Sequence, residues 1–239
     1  MLGGTIKLTG RLMAVSGFIR KGASVVDIGT DHGYLPVYLA QTGLANSIIA
    51  SDISAGSLNS ARRSAAKYGM SDKITFVTAP GLSGVSEKEA DTVVIAGLGG
   101  ETIAGILKDA PWTKHRGVSL ILQPQSKIVE LCSFLRKSGY SLLDAQLSRD
   151  SNRFYVIMPV AGGKSDSTLS PEFELYARLM YRRDPLFPRY MDDLAEKTRR
   201  ALNGMKKSGA PGFMEHAKTA YKLAAYTGLK EEFENANRK

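Results

Sequence analysis

One stretch of this chain limits the possible folds more than any other: Val25-Val26-Asp27-Ile28-Gly29-Thr30-Asp31-His32-Gly33-Tyr34-Leu35-Pro36. The run from Ala23 to Val26 is largely apolar and does not alternate, which predicts a buried strand. It closes on an acid, meets a glycine turn and passes into a segment able to start a helix. Strand, glycine turn and helix form the entry to a nucleotide-binding α/β domain. Gly29 lets the backbone turn sharply and approach a ligand. Asp27, at the strand's end, is placed to accept hydrogen bonds from a ligand's amine or hydroxyl.

The spacing departs from the dinucleotide fingerprint G-x-G-x-x-G, because Asp31 stands between Gly29 and Gly33. A carboxylate there repels a pyrophosphate. It suits a ligand with a cationic end and no phosphate, such as S-adenosylmethionine. The plainer reading is a buried strand followed by a helix capped by Thr30 or Asp31.

A second acid adds weight to the ligand reading. Ser47 to Asp52 reads as another buried strand, and Asp52 follows Gly29 by 23 residues (52 − 29). An α/β domain places a ribose-binding carboxylate at about that distance. Helices are expected over 34–41, stopped by Gly43, and over 55–68, stopped by Gly69. A third strand, 74–78, exits through Ala79-Pro80-Gly81-Leu82. A fourth, 92–96, runs into Gly97-Leu98-Gly99-Gly100 and a helix over 101–107. That exit is either a flat surface for a base or a helix start needing room to pack. A fifth strand, 118–123, precedes a helix over 126–137. Tyr140 to Leu147 and Arg153 to Val160 are two strands joined by a loop over 148–152, hence an antiparallel hairpin. An antiparallel closing strand is what the class I methyltransferase fold adds to a parallel sheet.

Before the first strand, Leu8, Leu12, Val15 and Ile19 fall at helical spacing, with Thr5 or Thr9 as cap. Arg11 lies beside that apolar stripe. Ala161 to Ser167 is polar and flexible and marks a boundary, giving domains 1–160 and 161–239. The second domain reads as all helix. Met191, Leu194, Thr198, Ala201, Leu202 and Met205 form one stripe, and Phe213, Ala217, Ala220, Tyr221 and Ala224 another. With the break at Gly209-Ala210-Pro211-Gly212, this is a small helical, coiled-coil-like hairpin.

Composition narrows the class. The net charge is +9, which favours an anionic macromolecular partner. Residues 1–26 hold Lys7, Arg11, Arg20 and Lys21 and no acid. Arg199 and Arg200 stand with Lys206 and Lys207 near the helical break. One cysteine, Cys132, forbids an internal disulfide or a Cys-rich metal site, and the three histidines lack ligand spacing. No stretch has the length of a membrane span and no signal peptide is read, so a cytoplasmic protein without metal is expected.

Taken together, Leu8-Thr9-Gly10-Arg11-Leu12, the Asp27 to Pro36 loop, Ala96-Gly97-Leu98-Gly99-Gly100 and Ile121-Leu122-Gln123-Pro124 resemble the bacterial tRNA (adenine(22)-N(1))-methyltransferase family, over nearly the whole chain. Gly33, Leu98, Asp52 and Gln125 stand where the family usually has Ala, Met, Glu and Asn. The resemblance implies a class I Rossmann-like methyltransferase domain with a helical appendage. It also implies S-adenosylmethionine as cofactor and tRNA as substrate. On this reading the cofactor is held by Asp27, Gly29, Thr30, Asp31, His32, Gly33, Tyr34, Asp52, Ile53, Ala79, Gly81, Ala96 and Gly97. Asp31 is the candidate catalytic group. Arg11, Leu98, Gly99, Gly100 and Gln123 face the substrate, and Lys7, Arg20, Lys21, Arg199 and Arg200 meet its phosphates. The chain is expected to be a monomer or weak dimer.

Two other classes fit parts of the pattern. One is a nucleotide- or NAD-binding enzyme acting on a small molecule, against which stand the missing middle glycine and the closing hairpin. The other is a non-catalytic RNA-binding protein on the same fold, against which stands the intact set of Asp27, Gly29 and Asp52.

Overall fold

The computed structural model describes residues 4–208 and 212–238. The element order is α1 (Gly10–Ser16), β1 (Ala23–Ile28), α2 (Tyr34–Thr42), β2 (Ala45–Asp52), α3 (Ala55–Lys67), β3 (Thr75–Thr78), β4 (Thr92–Leu98) and α4 (Gly100–Asp109). It continues with β5 (Ser119–Pro124), α5 (Ile128–Lys137), β6 (Tyr140–Leu142), β7 (Gln146–Asp150), β8 (Arg153–Gly162), α6 (Pro171–Tyr181), α7 (Phe187–Ser208) and α8 (Phe213–Ala236).

The sheet runs β3-β2-β1-β4-β5-β8-β6, with β7 on β8. The first five strands are parallel. β8 is antiparallel to β5, β6 and β7. This is the Rossmann-like methyltransferase fold. β1 and β4 lie at the centre, where Val25, Val26, Val93, Val94 and Ile95 are fully buried, as non-alternating β-branched strands require. The strand order reverses at β1/β4, so the crevice for a ligand opens at the C-terminal ends of those two strands.

The hairpin differs from expectation. Its first strand is broken at Leu143 to Ala145 into β6 and β7. Both halves pair with the single long strand β8, and the turn shrinks to Ser151-Asn152, because Asp150 pairs with Arg153. Ser151 takes a left-handed φ of 53° there.

The chain divides into two compact units at 178/179 rather than at 160/161. Residues 161–178 stay with the first unit, where the Arg136 guanidinium on α5 donates to the Leu169 carbonyl and pairs with Glu174.

In the second unit α7 and α8 pack as a helical pair, with Phe187 against Phe233 at 5.1 Å. Lys230 pairs with Asp192 at 2.9 Å. The α7 stripe is partly as read: Met191 is buried and Leu194, Thr198, Leu202 and Met205 are half-buried, but Ala201 is exposed and Ala195, outside the expected stripe, is buried. The α8 stripe is not. Tyr221, Ala217 and Ala224 are exposed, and the buried anchors are Tyr226 and Phe233. The expected phase rested on alanines, which bury little area and are outweighed by two aromatic rings. Residues 209–211 of the expected break, and the side chains of Lys206 and Lys207, lie outside the described residues.

Candidate active site

At the end of β1 the chain takes left-handed backbone at every second residue: Gly29 (φ 70°), Asp31 (φ 51°) and Gly33 (φ 68°). The zigzag is pinned to β2. The Ser51 carbonyl accepts from the N–H groups of Gly29 (2.9 Å) and Thr30 (3.1 Å). Asp52 accepts from Asp31 N–H through Oδ2 (3.2 Å) and from Ser54 N–H through Oδ1 (2.9 Å). A side chain at Gly33 is disfavoured twice over in this structure. A Cβ there would sit 2.8 Å from the Ala61 Cβ, and its φ is unfavourable for any L side chain. Gly33 is also the N-cap of α2, with no side-chain cap. Neither Thr30 nor Asp31 caps that helix.

Thr30 turns inward instead and donates to Asp27 Oδ2 at 2.8 Å. Burial pushes the Asp27 carboxyl up to about 7, against the opposing pull of the Thr30 hydrogen bond and the Arg11 charge, with Asp52 adding to the rise. The Asp31 side chain has the opposite setting. It is 70% exposed, and its carboxylate Oδ2 lies 3.9 Å from His32 Nε2. The His32 and Tyr34 rings stack at 5.4 Å.

One cavity of about 270 Å³ opens at this loop; Gly33 and Asp52 do not line it. Asp27, Gly29, Thr30, Asp31, His32 and Tyr34 form one wall, Ala96 and Gly97 the floor from β4, and Arg11 the side from α1. Thr9 both caps α1, accepting from Leu12 N–H, and reaches the cavity. Arg11 is held from behind. Its Nη1 donates to Gln123 Oε1 at 2.8 Å, and its guanidinium lies 5.6 Å from the Tyr155 ring centre.

Several expected residues lie elsewhere. Gln123 is fully buried, with its amide nitrogen donating to the Pro124 carbonyl, so it sets the position of Arg11 and is not on the cavity wall. Leu98 packs beside Gly29, and Gly100 is pressed against the carbonyls of Ser126 and Lys127. Gly99 is the extended N-cap of α4. Of that glycine-rich exit, only Gly97 lines the cavity. Ile53 is 73% exposed beyond the end of β2, Ala79 is buried and donates its N–H to the Asp52 carbonyl, and Gly81 lines a separate hollow against Ile106. Arg20 and Lys21 precede β1 and therefore sit at the opposite end of the sheet, where Arg20 pairs with Asp91 at 3.0 Å. Lys7 is exposed on the segment before α1. Arg199 and Arg200 belong to the second unit, and both pair with Glu196. A larger hollow there, about 480 Å³, is lined by Asp192, Glu196, Glu231 and Glu234 beside Arg199 and Lys230. Its acidic balance does not suit a polyanion.

Residues 8–158 match the family model of a methyltransferase domain. The chain is 36% identical over 165 residues to the tRNA (adenine(22)-N(1))-methyltransferase of Bacillus subtilis, covering 68% of each chain. The chain belongs to the tRNA (adenine(22)-N(1))-methyltransferase family. Solved structures agree over nearly the full length. The B. subtilis M1A22 tRNA methyltransferase TrmK superposes with a TM-score of 0.74 at 27% identity, over 96% of this chain and 98% of that one. A Streptococcus pneumoniae candidate tRNA (m1A22) methyltransferase, crystallised in complex with S-adenosyl-L-methionine, gives 0.81 at 29% identity, over 94% and 100%.

Within this tRNA (adenine(22)-N(1))-methyltransferase fold, Thr9, Leu12, Leu35 and Gln125 line the cavity and Tyr155 backs it, none of which spacing singled out as a group facing a ligand. Tyr155 supports Arg11, and Gln125 lines the cavity. Tyr155 lies on the antiparallel strand β8, and no local pattern ties that strand to the cavity. Among the described residues no cluster of three or more His, Cys, Asp or Glu side chains could hold a metal, and no helix is long and apolar enough to cross a membrane.

Proposed function

We propose that this chain methylates N1 of adenine 22 in tRNA, using S-adenosylmethionine. The observation that carries the reading is a cavity whose wall bears two carboxylates, Asp27 near the end of β1 and Asp31 on the left-handed loop that follows. That wall fits a cationic ligand and repels a pyrophosphate, and it belongs to a chain of this family. When bound, S-adenosylmethionine supplies a methyl group on a positively charged sulfur. Asp27, buried at the end of β1, would hold the ligand's amino group. Asp52 uses one N–H contact per oxygen, which leaves lone pairs for ribose hydroxyls. Gly29 and Gly97 keep Cβ atoms out of the cofactor's path.

Adenine N1 carries a free lone pair at neutral pH, so no strong base is required. The chain's task is alignment at near-attack distance. The product base is cationic, and Asp31, exposed on the cavity wall, is placed to stabilise the charge that develops. An adenine paired through N1 must first leave its stack. Gly97 forms a floor covered by the ends of the Arg11 and Gln125 side chains, and the stacked His32–Tyr34 pair offers an aromatic face. The protein is read as a cytoplasmic monomer or weak dimer.

The deciding experiment is mass-spectrometric mapping of modified nucleosides in unmodified tRNA treated with the protein and S-adenosylmethionine. The expected product is 1-methyladenosine at position 22. Methylation elsewhere, or none, defeats the proposal.

A further inference from the structure

The sequence offers two cationic groups, Arg20 with Lys21 and Arg199 with Arg200, yet three of those four side chains are engaged by Asp91 or Glu196. A different set stands beside the cavity. Antiparallel pairing of Leu122 with Met158 puts the end of β5 level with Val156, so the tip of the β7–β8 hairpin projects past the sheet on the cavity side. Arg149 and Arg153 sit on that tip, both exposed. Arg153 donates to the carbonyl of Gln125, a cavity residue, at 3.3 Å. Its guanidinium lies 5.3 Å from the Tyr155 ring, which also carries Arg11, and Arg149 lies 5.3 Å from the Phe154 ring. Among the described residues none of these three arginines forms an ion pair with a carboxylate. Asp150, the acid of the same turn, lies toward Gly10 on α1 instead.

An aromatic ring fixes a guanidinium while leaving its N–H donors available, and such donors match phosphate oxygens in a bidentate way. We propose that the β7–β8 hairpin, through Arg149 and Arg153, is the surface that grips the RNA backbone next to the target base. The proposal rests on the tRNA reading above. It assigns to the hairpin phosphate contacts of the kind that the sequence placed on Lys7, Arg20, Lys21, Arg199 and Arg200.

The test is binding of unmodified tRNA, by fluorescence anisotropy over a salt series, to the full chain and to R149Q/R153Q. Calorimetric titration with S-adenosylmethionine runs in parallel. The double variant is expected to bind tRNA about tenfold more weakly, with a salt slope shallower by about 1 for each phosphate that is no longer gripped. Cofactor affinity stays at the wild-type value. R20Q/K21Q, at the far end of the sheet, is expected to bind tRNA within about twofold of wild type, as cations remote from the bound backbone should. The assignment is overturned if R149Q/R153Q keeps wild-type affinity and slope, if its cofactor affinity falls in step, or if R20Q/K21Q is weakened as much. Methylation of the same tRNA is scored separately. A wild-type chain that binds through the hairpin but transfers no methyl defeats the enzymatic reading and leaves the surface in place.

Discussion

The exits of β1 and β4 lie side by side in the sheet, and each is rich in glycine. After β1 the glycines alternate with an acid, and the backbone is left-handed at Gly29, Asp31 and Gly33. At the β4 exit only Gly97, among the last residues of the strand itself, is left-handed, Gly99 is an extended cap, and Gly100 is closed in by two carbonyl oxygens. Asp31 holds a conformation that costs a non-glycine residue on the order of 1–3 kcal/mol, and a surrounding structure keeps such strain where it is useful. One exit therefore gives up stability to place carboxylates, while the other mainly brings a helix close to its neighbour.

The largest effect expected from this contrast is on Asp27. Its carboxyl titrates near 7 in the folded chain, against an ordinary value of 3.8, because it is buried. Between those values the folded state keeps a proton that the unfolded chain has released. Stability from this group is therefore complete below about pH 4 and is lost as pH rises through 7. Asp27→Asn stays neutral throughout. Its stability relative to wild type should rise by ~4 kcal/mol between pH 4 and pH 8. Chemical denaturation at a series of pH values gives that difference. A flat difference would mean that Asp27 is ionised throughout and costs the fold nothing.

Next comes Asp31→Asn, which removes the charge and retains a residue that tolerates left-handed backbone. The expected result is a fall in kcat of roughly 10²–10³ with little change in thermal stability or cofactor affinity. Single-turnover methylation at saturating cofactor reads it directly. If affinity falls and kcat survives, Asp31 only grips the cofactor, and the β1 exit is a binding loop without a chemical role.

On the β4 side, Gly100→Ala should act in the opposite sense. A Cβ there would meet the Lys127 oxygen at 2.4 Å and the Ser126 oxygen at 2.9 Å, both backbone atoms that cannot swing away. Overpacking of this kind costs about 1–3 kcal/mol. A lowered melting temperature with near-normal kcat below the transition is expected. A depressed kcat in a fully folded variant would erase the distinction between the two exits.

Much of this architecture could be read from the chain because it follows from local rules. Buried parallel strands show as non-alternating runs, and Gly43 and Gly69 stop helices with left-handed φ as expected. The acids at the ends of β1 and β2 were legible for the same reason: strand ends meet at one edge of a parallel sheet. What could not be read depended on long-range contact. Gln123 looked like a ligand group, and only the fold shows that Arg11, 112 residues away, takes its oxygen. Glycine type does not tell whether a missing Cβ leaves room for flexible side-chain ends on a cavity wall, as at Gly97, or for a neighbouring backbone carbonyl, as at Gly100. Net charge could not tell cations paired with a carboxylate, such as Arg20, Arg199 and Arg200, from Arg149 and Arg153, on which the proposed RNA surface rests.

The smallest effect, and the one that sharpens the comparison most, belongs to Gly97, the single residue of the β4 exit on the cavity. Its φ of 89° disfavours any side chain, so Gly97→Ala should lose about 1–2 kcal/mol of stability. The new Cβ would also stand 3.1 Å from Arg11 Nη1 and 3.4 Å from Gln125 Nε2. Both are ends of flexible side chains and can yield, but Arg11 is tied to Gln123, so yielding strains that bond. A few-fold loss of kcat/KM on tRNA should therefore accompany the stability loss. Gly99→Ala provides the reference, because its φ is ordinary and its Cβ would meet only the Ser126 hydroxyl at 3.3 Å and Thr102 Oγ1 at 3.8 Å. It should leave kcat/KM unchanged. Equal kinetics for the two variants would show that the whole β4 exit, Gly97 included, serves packing alone.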